Sequence, residues 1–251
     1  MKLEKKIAIV TGGGRGIGRA IAAAFAREGA HVVVTAAREK REIQAVASEI
    51  GGTAVLADVT RDDDVRRLVD GVVSDFGGIH ILVNNAARGM KYVNASFMTD
   101  PKPFWEADPD VWRMVIDTNV TGVFRMTHAV VPHMLERGSG RIINISINQT
   151  TMERKGFSPY GPSKAALESM SIIWAKELEG TGLTLNVLLP GGATDTGMIP
   201  DNFPESRRSN LLDPAVMGPP AVYLASDEAA DVNGQRIIAV DWHRRPSSSP
   251  V

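Results

Sequence analysis

The sequence contains no cysteine. That alone excludes disulfides, thiolate nucleophiles and cysteine-ligated zinc, and a reducing, cytoplasmic location is the expectation. Neither charge is in excess: 28 lysines and arginines stand against 29 acidic residues, for a formal net charge of -1. Such a chain has no electrostatic grip on a phosphate backbone or an anionic membrane, so nucleic acid and membrane are not expected as partners. No uncharged apolar stretch approaches the ~18 residues needed to cross a bilayer. The N-terminal MKLEKKIAIVTGGG is basic and then apolar, but its run IAIV is too short for a signal-peptide core and reads as a first strand. None of the five histidines falls in metal-ligand spacing, and no metal is expected.

With 251 residues, 43% of them hydrophobic, the chain is long enough to bury one large core. Seven short β-branched runs, KIAIV, AHVVVT, TAVLAD, ILVNNA, GRIINIS, LTLNVLLP and QRIIAV, alternate with helical patterns. That alternation predicts an α/β fold: a single Rossmann-like doubly wound domain, its seven-stranded, mostly parallel sheet covered by helices on both faces. Alanine-rich Ile17 to Arg27 is the first helix; Thr60 to Ser74 is another, with Thr60 and Asp63 spaced like a capping box. Asp62, Asp63 and Asp64 then read as helix-start charges rather than metal ligands. The domain is expected over residues 1–241. Residues 242–251 make a polar, proline-bearing tail, either unstructured or lying on a neighbouring subunit.

TGGGRGIG joins the first strand to the first helix and places Gly12, Gly16 and Gly18 in a spacing unlike the common G-x-G-x-x-G fingerprint. Glycines there permit a sharp turn and the close approach of a pyrophosphate to the helix N-terminus, beside Arg15 and Ile17. In this strand-loop-helix setting dinucleotide binding is favoured over a plain turn. The second strand ends in Ala36 and Ala37, where an NAD-binding chain would carry an acid for the ribose 2′-hydroxyl. Arg15 and Arg38 either grip a 2′-phosphate or are solvated surface charges. The missing acid favours the phosphate, hence NADP(H) over NAD(H), and no carboxylate is expected to repel it. Asp58 and Asn85 follow the third and fourth strands, at the edge where ligands bind, although both residue types also cap turns.

In order along the chain, TGGGRGIG, Asp58-Val59, Asn84-Asn85-Ala86, Asn119 in DTNVTG, YGPSK from Tyr160 to Lys164 and PGGATDT from Pro190 to Thr196 resemble a classical short-chain dehydrogenase/reductase over about Lys5 to Asp241. The resemblance implies that the glycine loop binds the pyrophosphate, that Asp58 and Val59 hold the adenine, and that Asn85 and Ala86 flank the adenosine. It also implies that the stretch after Pro190 and Gly191, with Ala193 and Thr194, meets the nicotinamide carboxamide. Tyr160 becomes the general acid/base and Lys164 its partner, both of them cofactor contacts, Lys164 through a ribose hydroxyl, and Asn119 a helix-kinking water relay; a buried asparagine satisfying backbone groups is the plainer reading of Asn119. A homotetramer or dimer is implied as well.

The residues support the pair by themselves. Free tyrosine, with a pKa near 10, is a poor base at neutral pH. An ammonium at i+4, together with a positive nicotinamide ring, is expected to favour the phenolate. Pro159 and Pro162 cannot donate intrahelical bonds, so they place Tyr160 at a helix start.

One position departs from the family pattern. The serine that hydrogen-bonds the substrate oxygen falls, in NISIN, on Ile147, which cannot donate. Ser146 is the expected substitute, with the Asn148 amide as the alternative. Phe97, Met98, Phe104, Trp105, Met152, Phe157, Met198 and Phe203 either line an apolar pocket or belong to the core. The expected activity is hydride transfer between NADP(H) and a medium-sized, largely apolar ketone or secondary alcohol. Two alternatives are an NADPH-dependent imine reductase on the same site and a non-catalytic nucleotide-sensing module; the joint presence of Tyr160, Lys164 and Asn119 weighs against the second.

Overall fold

The computed structural model describes residues 1–244, and in it all seven apolar runs become strands: β1 (Ile7–Thr11), β2 (His31–Ala36), β3 (Thr53–Leu56), β4 (Ile81–Asn84), β5 (Gly140–Ile145), β6 (Leu183–Leu189) and β7 (Arg236–Ile238). They form one sheet, every pair parallel, in the order β3-β2-β1-β4-β5-β6-β7. The helices are α1 (Gly16–Arg27), α2 (Lys40–Ile50), α3 (Asp62–Phe76), α4 (Pro109–Ile116), α5 (Gly122–Arg137), the single turn α6 (Gln149–Met152), α7 (Tyr160–Glu177) and α8 (Gly218–Ala225). Successive strand residues feed opposite cores. Ala8 and Val10 pack with α1, α2 and α8, whereas Ile9 packs with α3, α5 and the end of α7. Covering both faces explains why the strands read as unbroken apolar runs. Among the described residues no helix is long and apolar enough to cross a membrane.

The start of α3 differs from the capping-box expectation. Arg61 precedes the helix without a side-chain cap, and Thr60 instead donates its N–H and hydroxyl to the Asp58 carboxylate at 2.9 and 2.8 Å. A carboxylate is the stronger acceptor, so the Thr60 hydroxyl turns back to it. Asp64 rather than Asp63 closes the turn, accepting from the Asp58 N–H at 3.0 Å. All three aspartates do lie in the first turn.

After β7 the chain continues through an irregular helical turn, where Trp242, at the head of the expected tail, packs 5.0 Å from the Tyr223 ring. The rest of that tail, from Arg245, lies outside the described residues. Connections leave β1 and β4 in opposite directions across the sheet, which opens a crevice at their carboxyl ends.

Candidate active site

The glycine loop is folded tightly onto the end of β4. Gly12 has φ +64°, and a Cβ there would stand 3.0 Å from Ala86 Cα; one on Gly18 would overlap the Gly12 carbonyl oxygen. Thr11 fixes this approach, its hydroxyl accepting from the Asn85 and Ala86 N–H groups at 3.0 and 3.1 Å. The Asn85 amide donates to the Thr11 and Gly12 carbonyls at 2.9 and 3.0 Å. Asn85 therefore builds the loop as well as bordering it. The α1 N-terminus has no side-chain cap, which leaves its N–H groups for an anion. A bare helix start beneath a loop that only glycines can make fits a pyrophosphate.

Beside the loop lies a cavity of about 510 Å³, lined by Gly12, Arg15, Gly16, Ile17, Arg38, Asp58, Val59, Asn85 and Ala86. Gly18 is buried. Thr35, Glu39, Glu42, Arg88, Lys91, Tyr92, Thr118 and Thr196 share the wall without having been expected there. Glu39 and Glu42 correct the expectation that no carboxylate stands nearby, and Glu42 lies 3.5 Å from the Arg15 guanidinium. Their i, i+3 spacing at the start of the helix after β2 was the signal available in the sequence.

Tyr160 opens α7 and is half-buried, with Pro159 just before it and Pro162 in the first turn. Its hydroxyl meets the Met198 sulfur at 4.0 Å. Lys164 is buried, donates to the Ile145 carbonyl at 2.8 Å and lies 5.9 Å from the centre of the Tyr160 ring. Burial pushes Lys164 down to about 8, opposed by the Glu168 carboxylate, and pushes the Tyr160 phenol up to about 12. In the chain alone this runs against the expected drift toward phenolate, because desolvation disfavours the charged form of both groups.

Asn119 sits fully buried in a π-helical turn (Asp117–Thr121) between α4 and α5. Its oxygen accepts from the Arg88 N–H at 2.8 Å; its amide donates to the Arg88 carbonyl and the Ser163 hydroxyl, both at 3.0 Å. A π-helical turn stands where the kink was expected, and the buried-asparagine reading describes the bonds Asn119 makes in it.

Of the two expected substitutes for the missing serine, Ser146 has its one hydroxyl hydrogen engaged and Asn148 has one of its two amide hydrogens engaged. Ser146 is buried and donates to the Glu168 carboxylate at 2.6 Å, and the Asn148 amide donates to the Gly191 carbonyl at 2.9 Å. An ionised acceptor at that distance holds a hydroxyl proton better than a neutral carbonyl does. Ile147 is held by its backbone, accepting from the Arg236 guanidinium at 3.0 Å.

Asn119, Tyr160, Lys164, Pro190, Gly191, Ala193 and Thr194 lie off the cavity wall. Pro190 and Thr194 are buried, and Ala193 is exposed. The segment that follows them folds over: a Cβ on Gly16 would touch Thr196 at 3.0 Å, Lys91 pairs with Asp201 at 3.0 Å and Asn202 donates to Ser96 at 2.9 Å. Apart from Tyr92, the aromatic residues do not line the cavity. Met90, Phe97 and Phe157 form a small core of their own with Met98 packed on it, Phe104 and Trp105 are exposed against each other, and of the eight apolar candidates only Met198 borders the space.

The short-chain dehydrogenase family model matches residues 6–206. The chain belongs to the short-chain dehydrogenase family. A 3-oxoacyl-(acyl-carrier-protein) reductase of Thermotoga maritima is 32% identical to this short-chain dehydrogenase over 96% of the chain and 98% of the relative. Its counterpart in Escherichia coli is 33% identical, covering 94% and 96%. The crystal structure of a 3-ketoacyl-(acyl-carrier-protein) reductase from Brucella melitensis complexed with NADH matches with a TM-score of 0.83 at 31% identity, covering 94% of this chain and 97% of that one. This short-chain dehydrogenase is accordingly an oxidoreductase acting on C=O and CH–OH groups with a nicotinamide cofactor.

Proposed function

We propose that this short-chain dehydrogenase reduces a ketone carried on an apolar chain, using NADPH, with Tyr160 as the proton donor. When bound, the cofactor supplies the hydride. The observation that carries the reading is the fixed first turn of α7. The Asn119–Ser163 bond and the buried Lys164 hold Tyr160 at the crevice, with its phenol pushed up to about 12 and so protonated at neutral pH. A protonated phenol suits reduction, because the oxygen receiving hydride develops negative charge and must be protonated. Lys164 and Asn119 act through Tyr160.

Arg15 and Arg38 are the residues that would hold a 2′-phosphate, and Glu42 tempers Arg15 by sharing its charge. Met198 against the Tyr160 hydroxyl and the half-exposed Tyr92 ring offer apolar contact at the mouth. A 3-oxoacyl group, as named for the relatives, falls within this substrate class. Self-association is part of the reading, because Phe124 on α5 and Ile172 and Ile173 on α7 are each about half exposed.

A second reading, C=N reduction, draws on Ile147. With the Ser146 hydrogen and one Asn148 amide hydrogen engaged elsewhere, the clamp for an oxyanion is weakened while the proton donor stays, and an imine needs mainly the proton. The test is a panel of ketones and imines assayed with NADPH and NADH, with Tyr160→Phe beside the parent. Ketone turnover with NADPH, abolished by Tyr160→Phe, is expected. Intact turnover in the variant, or better rates with NADH, would overturn the corresponding part. Ser146→Ala and Asn148→Ala then compare the two possible donors.

A further inference from the structure

Glu168 lies one turn beyond Lys164 on α7, and its carboxylate gathers three groups from three elements. It accepts from the Ser146 hydroxyl at the end of β5 at 2.6 Å and from Arg236 of β7 at 2.9 and 3.0 Å, and its charge acts on Lys164. Its side chain is 19% exposed, against 36% for Arg236. The same guanidinium donates to the Ile147 carbonyl at 3.0 Å, so Arg236 touches both the carboxylate and the residue standing where the family places its serine.

We propose that Glu168 and Arg236 form a counter-charge pair behind the site, which positions the Ser146–Ile147 backbone and holds the charge of Lys164. Both are positioning residues, and the inference rests on reading Lys164 as the partner of Tyr160. The geometry leaves few competing charges. Of the elements packed against α7, β6 and α6 carry no ionisable side chain. Asp117 of the π-helical turn is bound to Arg125 at 2.9 Å, and Asp110 of α4 is bound to Arg113 at 2.8 Å. Arg141, the one charge on β5, lies four residues before Ile145. Tyr160 is neutral with its phenol pushed up to about 12. Glu168 is then the charge that opposes the desolvation of Lys164, and Arg236 decides how much of that charge Lys164 feels.

This predicts shifts of opposite sign, which a merely structural role does not produce. Removing the carboxylate takes support from the ammonium; removing the guanidinium leaves the carboxylate uncompensated and strengthens that support. The full-length protein, isotope-labelled at the lysine side-chain nitrogen, is titrated by NMR without substrate, with the Lys164 signal assigned from Lys164→Arg. Glu168→Gln is expected to lower the Lys164 midpoint by about one pH unit, and Arg236→Met to raise it by a similar amount. The double variant should return near the parent. If Glu168→Gln does not fold, Arg236→Met and Arg236→Lys carry the test, the lysine holding the midpoint near its parental value. Shifts in the same direction, or none, overturn the proposal. Midpoints that move while the pH profile of kcat/KM stays fixed overturn Lys164 as the partner of Tyr160 and leave the pair's action on Lys164 standing.

Discussion

The Asn119 amide donates to the Ser163 hydroxyl at 3.0 Å, and Ser163 donates onward to the Tyr160 carbonyl at 2.7 Å. This joins the π-helical turn ahead of α5 to the first turn of α7. Asn119→Ala leaves the Arg88 N–H and carbonyl without their partner inside the protein, and a cost of about 2 kcal/mol is expected from denaturant unfolding. Turnover should fall further than stability, by roughly 10², because Tyr160 is no longer held in place. Unfolding midpoints and initial rates measured on the same preparation separate the two effects.

Tyr160→Phe should lower kcat by roughly 10² to 10⁴, a far larger effect than on cofactor affinity. In the parent, reduction should decline as pH rises through about 8, where Lys164 loses its proton. Oxidation of the matching alcohol begins with loss of a proton from the Tyr160 phenol, so its gain should come at higher pH, toward about 12. Identical profiles in the two directions would rule out proton transfer by this pair.

Arg38→Ala and Arg15→Ala should each weaken NADPH binding by roughly 10- to 100-fold and NADH binding little, the range for one charge-assisted hydrogen bond. Glu42→Gln frees Arg15 and should move preference the other way, toward NADPH. Fluorescence titration with both nucleotides reads all three variants.

Ile147→Ser restores a hydroxyl at the place where the family's donor stands. Since one such donor is worth on the order of 10² to 10³ in rate, ketone turnover should rise clearly while imine turnover changes little. Arg236 already fixes the Ile147 carbonyl, so the new side chain starts from a defined backbone. A ketone rate that falls would show that the pocket needs the isoleucine's bulk.

His80 predicts the acid limit of stability. It accepts from the Ile7 N–H at 3.0 Å and contacts Arg137, and burial, with Arg137 and Lys6 adding to it, pushes its pKa down to about 4. The folded state holds the neutral ring, whereas the unfolded chain takes up a proton near 6.5. This contribution is therefore complete above 6.5 and is lost as pH falls from 6.5 to about 4. Because the ring is only partly buried, about 1 to 2 kcal/mol is the expected loss. His80→Asn should flatten the dependence of the unfolding midpoint on pH over that interval; an unchanged slope in the variant would remove His80 as its source.

Pattern alone gave the seven strands, because burial on both faces leaves an unbroken apolar run that local composition reveals. The glycine loop and the Tyr160–Lys164 spacing were legible for the same reason, being set by neighbours in sequence. What escaped was settled between distant residues. Ser146 was a plausible donor until Glu168, 22 positions away, was found to hold its hydrogen. Thr60 fits a capping box in sequence, but its hydroxyl goes to Asp58. In the chain alone burial opposes the expected shift of Tyr160 toward the phenolate, and no spacing rule reports burial.

The strand order has a last consequence. With β1 and β4 adjacent at the middle of the sheet, the glycine loop comes from the first part of the chain, while Tyr160 and the segment after β6 come from the second. A dinucleotide lying across that seam acts as a cross-brace, binding the folded sheet and neither half alone. Heat resistance should then climb with the logarithm of cofactor concentration, by about 2.7 kcal/mol at a hundred times Kd.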